Sequence, residues 1–269
     1  MTIIMDVKLH AIYFFLAFSM QFLSWKIPFR EQVKSNEKSW DLLSIVAGEV
    51  YSLIYIALIG TPVFLLATHE TALIEWREFV ESWHPIFSVM TQLILIDFLL
   101  YWVHRSLHHQ WLWNGHAFHH SSKHLWWMSG LRASPIHVLM MGLPFTLAII
   151  VFPTPEGALI TSMALCLGIA NQHWLHSNIK VPFEKHIEWL FVTPRLHFVH
   201  HSKKREFSDS NYGFIFSVWD RAFGTLTSPE KVSINEPLGL NYKNSNTRLI
   251  LGLPPKAKLN ITQKGQATE

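Results

Sequence analysis

Eight of the chain's histidines fall into three patterned groups. His104 and His108 stand four apart, His116, His119 and His120 follow at i, i+3 and i+4, and His197, His200 and His201 repeat that spacing downstream. Successive helical residues are rotated by about 100°, so Asp97, Tyr101, His104 and His108 share a strip roughly 60° wide, with a carboxylate and a phenol beside two imidazoles. The i, i+3, i+4 triplets likewise set imidazoles side by side on one helical surface. Imidazole binds iron, zinc, copper or nickel as the neutral ring, which avoids bringing a cage of carboxylates close to lipid. A structural zinc takes four ligands. The eight imidazoles of the three groups exceed that number and could hold two ions with positions left for oxygen or water.

The elements that must position these groups are apolar. Of 269 residues 49% are hydrophobic and only 15% charged, with 12 Trp and 19 Phe, so a bilayer is the expected solvent. The formal net charge of +3 is too small to argue for nucleic acid, and no nucleic-acid motif appears. The single Cys166 allows no intramolecular disulfide, so histidines must supply the metal ligands.

In chain order, the first apolar run is Leu9 to Trp25, read as an uncleaved anchor because no small-x-small cleavage pattern follows it. The basic segment from Lys26 to Trp40 is expected on the cytoplasmic side. Leu42 to Ala67 is long enough to cross, with Gly60, Thr61 and Pro62 suggesting a kink or an early exit. His69 to Pro85 is acidic and fits the opposite side, and Ile86 to Val103 returns the chain and delivers His104 to the cytoplasmic edge. Ile136 to Phe152 and Gly157 to Leu175, joined by the turn sequence PTPEG, read as a helical hairpin that crosses or dips into the bilayer. Either way the three histidine groups end on one face. Val181 to Val192 reads as an amphipathic helix lying in the interface. Ser228 to Glu269 is polar and aperiodic and is expected to be a loosely packed, partly disordered tail.

The expected fold is therefore all-α, an integral membrane bundle of about four to five transmembrane or re-entrant helices under a cytoplasmic histidine-rich cap. Residues 1–85 form membrane anchor helices and loops, 86–227 the catalytic region and 228–269 the tail.

The three groups resemble the histidine boxes of the fatty acid hydroxylase/sterol desaturase superfamily, and so do their surroundings. Asp97, Tyr101, Trp102, His104 and Arg105 resemble its D-x3-Y-W-x-H-R. His119, His120 and Ser121 resemble its H-H-S, and Thr193, Pro194 and Arg195 the lead into its third box. Asn211, Tyr212 and Gly213, then Trp219, Asp220, Phe223, Gly224 and Thr225, resemble its closing N-Y-G and W-D-R-x-F-G-T. The match runs from about Asp97 to Thr225.

The resemblance implies a membrane-bound non-haem di-iron oxygenase that uses dioxygen and external electrons to hydroxylate or desaturate a lipid or sterol-like substrate drawn from the bilayer. It implies two iron ions, although zinc can occupy such a site in purified samples. It also implies an extra ligand between the second and third boxes, for which His176 in H-S-N and then His173 are the candidates. Asp97, Tyr101 and Asn211 are candidate catalytic residues: Asp97 and Tyr101 could orient a ligand imidazole through its other nitrogen, with a plain helix-to-helix hydrogen bond the equal alternative for Asp97, and Asn211, like Asp220, would brace the third box. His109 and His124 flank boxes without fitting them, and His137 is given a role in the fold. No cytochrome b5-like segment such as H-P-G-G is present, so electrons must come from a separate donor of the cytochrome b5 or ferredoxin type. The box spacing and the closing motif resemble the hydroxylase and ether-lipid monooxygenase side of the superfamily, so the resemblance leans towards hydroxylation. The alternatives are a desaturase of the same superfamily, a histidine-rich membrane protein that binds or transports metal, and a bis-histidine haem protein. A transporter would want ionisable ligands at mid-membrane, and a haem protein two lone facing histidines rather than doublets at helix ends.

Overall fold

A computed structural model describes residues 7–31, 36–67, 69–152, 168 and 170–256. Among these residues the structure is helical, with isolated β-bridges and no strand. Helix α1 (Val7–Lys26) covers the first apolar run.

Two helices among the described residues are long and apolar enough to cross a membrane, Lys38–Ala67 and Pro85–Leu107. The first consists of α2 (Lys38–Tyr55), a π-helical turn over Ile56–Gly60 and α3 (Thr61–Ala67). Pro62 supplies no N–H to the ladder, and the wider turn directly before it lets the helix continue. The early exit suggested by Gly60, Thr61 and Pro62 therefore does not occur. The outward face is bare hydrocarbon, with Leu53, Leu58 and Leu66 exposed by 65–71%.

Helix α4 (Thr71–Glu81) is short and amphipathic. It leads into a run of edge-on and tilted aromatic contacts from Trp76 through Phe79 and Trp83 to Phe87. Helix α5 (Pro85–Leu107) starts where Pro85 needs no hydrogen-bond donor, and its 23 residues reach about 35 Å, enough to cross the hydrocarbon core. Its buried strip holds Asp97, Tyr101 and His104 at 0–6% exposure, while Ile94 and Trp102 face outward.

A short helix α6 (Trp113–His116) and a 3-10 turn over His119–Ser121 carry the second box. Helix α7 (Pro135–Val151) begins at Ser134, whose hydroxyl accepts the His137 N–H. The far end of α7 is tied to α4 where Arg77 Nε donates to Ile150 O at 2.7 Å. The start of α2 is tied to the histidine end, because Arg132 and Trp126 both donate to the buried Asp41 carboxylate. Arg132 also donates to Ser121 Oγ in the second box at 2.8 Å. Arg132 and Asp41 are both fully buried, so removing either partner costs about 3–5 kcal/mol. α2, α5 and α7 thus extend between a polar histidine end and the α4 end.

The hairpin expected over 136–175 lies partly outside the described residues, including the PTPEG turn. Residues 170–175 are helical and deliver His173 and His176 to the histidine end. Two expectations need correction. The interfacial helix expected over 181–192 is a single turn, Glu184–Ile187, entered through a left-handed Phe183. It stops there because Glu188 turns inward to accept from Thr193 Oγ1 and Arg195. The loosely packed tail is also incorrect over 228–256. Val232 and Leu238 pack with Leu125, Phe198 and Val199, and Leu249 and Ile250 pack with Ala117 and Phe118. Single apolar residues spaced along a polar strap fill the gaps behind the second and third boxes, a pattern without a period.

Candidate metal centre

Each box sits at a helix end. His104 is in the last turn of α5, and His108 caps it. The third box lies on α8 (Pro194–His200), where Thr193 is the cap accepting the Leu196 N–H, Pro194 is the first helical residue and His201 ends the helix. Arg195 of this lead-in pairs with Glu188 at 2.7 Å, which fixes the start of α8.

In space the boxes are re-sorted. His104, His108, His116, His120 and His200 form one buried group, and His119, His176, His197 and His201 form a second; within each, the ligand atoms lie within 4.8 Å of one another. The groups adjoin where the His120 and His201 rings stack at 4.4 Å. Adjacent residues of one turn point apart, so His119 and His120 enter different groups, as do His200 and His201.

The outward nitrogens set the direction of the lone pairs. His104 Nδ1–H donates to Tyr212 O at 2.9 Å, His200 Nδ1–H to Ser210 O at 2.7 Å and His176 Nδ1–H to Gln172 O at 2.8 Å. Each such bond leaves Nε2 with a bare lone pair. These Nε2 atoms face others: His104 and His116 at 3.1 Å, His176 and His201 at 3.1 Å, and His197 and His201 at 3.0 Å. His200 Nε2 is buried without a hydrogen-bond partner. Burial holds the imidazoles of His116, His119, His120, His197, His200 and His201 well below the usual histidine range, so they are neutral ligands at pH 7. Neutral rings with converging lone pairs fit two imidazole-bound transition-metal ions.

The other candidates hold the framework. Of the two roles weighed for Asp97, its hydrogen bonds go to the framework and to no ligand imidazole. Its carboxylate accepts Ile215 N–H at 2.7 Å, Phe216 N–H at 3.0 Å and Trp219 Nε1–H at 2.8 Å. Tyr101 OH meets Thr225 Oγ1 at 2.9 Å and receives Arg105 Nη1–H at 3.2 Å. Asp220 accepts Tyr212 N–H and Gly213 N–H, each at 2.8 Å. It thereby holds the peptide whose carbonyl takes His104. Gly213 has no room for a side chain, since a Cβ would meet Phe216 O at 2.7 Å. Asn211 takes a left-handed φ of 54° and donates to Leu196 O, on α8, and to Thr227 O. His173 lies outside both groups and donates Nδ1–H to Trp127 O at 2.8 Å. Three residues before His176, its ring packs edge-on against Trp127.

The sequence reading missed two features. His137 stacks on His116 with Nδ1 atoms 2.9 Å apart, and Asp209 Oδ1 lies 3.1 Å from His108 Nδ1. No motif marks Asp209; its nearness to the third box was the only available signal.

The sequence model of the fatty acid hydroxylase family matches residues 89–225, half of the chain, and that segment holds all nine clustered histidines. The chain belongs to the fatty acid hydroxylase family. It is 32% identical over 194 residues to ornithine lipid hydroxylase OlsE of Rhizobium tropici, covering 70% of this chain and 56% of that one. It is 29% identical over 160 residues to human alkylglycerol monooxygenase, covering 58% and 35%. It is 29% identical over 157 residues to rat lathosterol oxidase, covering 56% and 49%. The chain thus spans between about a third and just over half of the length of these relatives. No solved structure matches it. Within this family segment the W-D and D-x3-Y motifs serve as a scaffold, tying α5 to the segment after the third box.

Proposed function

We propose that the protein is a membrane-embedded non-haem di-iron oxygenase that hydroxylates a lipid drawn from the bilayer, with dioxygen as oxidant and a separate cytochrome b5- or ferredoxin-type electron donor. The convergence of nine neutral imidazoles into groups of five and four carries this reading. His104, His108, His116, His120 and His200 would hold one ion, and His119, His176, His197 and His201 the other. When bound, the iron pair supplies the reductive activation of dioxygen needed to break an unactivated C–H bond.

The chain's own residues do the positioning. The Nδ1–H bonds to Tyr212, Ser210 and Gln172 present lone pairs inward, and the buried shell excludes water. A site at the ends of α5 and α7 lets a lipid chain approach without leaving the membrane. The acid-rich segment 69–85 on one side and the basic residues around the boxes on the other support a cytoplasmic histidine end. The spanning count would be four to five, including α1 and the hairpin begun by α7.

The relatives named hydroxylase and monooxygenase support oxygen insertion; the relative named oxidase supports desaturation as the second reading. Expression under isotopically labelled dioxygen, followed by mass spectrometry of membrane lipids, tests the proposal. Label in a lipid that disappears in the His200→Ala variant is expected. A new double bond without label would move the assignment to desaturation, and an unchanged lipid profile would contradict both readings.

A further inference from the structure

The two histidine groups differ in what stands behind them. His104, His200 and His176 give their outward N–H to backbone carbonyls, and His116 faces His137. The outward nitrogens of His119, His197 and His201 have no hydrogen-bond partner. Among the described residues, His108 is the clustered imidazole that meets a carboxylate, Asp209, with Nδ1 and Oδ1 3.1 Å apart.

That carboxylate is held in place. Arg205 Nε donates to Asp209 Oδ2 at 2.8 Å, while its Nη2 donates to His108 O at 3.3 Å. The Asp209 N–H closes the single turn Arg205–Ser208 by donating to Arg205 O at 2.9 Å. A cleft of about 140 Å³ opens beside them and reaches His120.

We infer that Asp209 is a positioning residue that makes the five-histidine position the more electron-rich of two unequal metal positions. A carboxylate accepting Nδ1–H fixes the tautomer that leaves the lone pair on Nε2, and its negative charge raises the donor strength of the ring. Among the described residues the four-histidine group has no such anion behind it. Arg205 keeps the carboxylate turned to His108 and partly offsets its charge, so the variant that removes the effect is Asp209→Asn. The amide nearly preserves shape and can still accept a hydrogen bond, but it carries no charge.

This inference rests on the di-iron reading, and the experiment separates the two. The full chain and its Asp209→Asn and Asp209→Glu variants are purified in detergent from cells grown on isotopically enriched iron. Metal content, release to a chelator and Mössbauer spectra are then compared. Wild type is expected to hold two irons with distinct quadrupole doublets. In Asp209→Asn one doublet should shift, and that iron alone should bind about 10–100-fold more weakly. Asp209→Glu should recover most of the affinity.

A wild-type iron pair with both doublets and both affinities unchanged in Asp209→Asn overturns the inference while leaving the di-iron reading standing. Equal weakening of both irons reduces Asp209 to a structural residue and also overturns it. A wild type that takes up no iron pair overturns both. If Asp209→Asn does not accumulate, Asp209→Ser, which also removes the charge, decides: a shift and weakening confined to one iron supports the inference, and no change overturns it.

Discussion

Gly130 lies against the imidazole of His176 so closely that a Cβ on the glycine would stand 2.6 Å from Nδ1 and 2.9 Å from Cγ. The backbone of the Trp127–Leu131 turn therefore acts as a wall that sets how far His176 can retreat from His197 and His201. Gly130→Ala should push the ring inward or break its bond to Gln172 O, with an overpacking cost of about 1–3 kcal/mol. Metal analysis should show loss at the four-histidine position, while the five-histidine position keeps its ion. A variant with full occupancy at both would mean that the turn yields and His176 is not fixed by it.

Asp220 should control His104 without touching it. Asp220→Ala leaves Tyr212 N–H and Gly213 N–H without their acceptor, at about 1–3 kcal/mol for each buried group. The Tyr212 carbonyl that receives His104 then loses its anchor. Lower thermal stability together with weaker metal retention is expected. Reduced stability with unchanged metal retention would separate this hub from the site.

Tyr101→Phe distinguishes a catalytic phenol from a structural one. The hydroxyl donates to Thr225 Oγ1, whose own proton goes to Asp220, so the group completes a framework network. The variant should lose about 0.5–1.5 kcal/mol of stability and keep both its metal content and most of its activity. Loss of activity with normal metal content and stability would assign the phenol to the reaction.

Metal-free protein should be destabilised by acid in a defined direction. Burial lowers the imidazoles of His116, His119, His120, His197, His200 and His201 in the folded state, whereas unfolded histidines titrate near about 6.5. Below that pH the unfolded chain binds more protons, so the contribution is complete above about pH 6.5 and is lost as the pH falls. Thermal unfolding of chelator-treated protein, followed by tryptophan fluorescence, should show a midpoint that drops steadily below about pH 6.5. A flat midpoint through that range would mean that the cluster is hydrated and open once the metal is removed.

The histidine boxes were legible because metal ligation needs imidazoles at helical spacing, a local property that i, i+3 and i+4 record directly. Their sorting was not legible. Which ring of a box joins which group depends on how α5, α6, α8 and the 170–176 segment meet, and box membership does not coincide with the groups of five and four. Asp97 illustrates the same limit. Its place on the ligand strip was visible, but its partners lie 118, 119 and 122 residues away, so a brace and a ligand orienter could not be told apart. The strap over 228–256 was read as loose because isolated apolar residues without a period do not announce burial. Val232, Leu238, Leu249 and Ile250 each fill a separate gap that exists only after the helices have packed.

The most direct measurement is metal content per chain with Mössbauer spectroscopy on protein purified in detergent from iron-supplemented cells. The di-iron oxygenase reading predicts about two irons per chain in a coupled pair, matching the groups of five and four imidazoles. A single tightly held zinc, with no iron taken up on reconstitution, would contradict it and return the histidine clusters to a structural or metal-handling role.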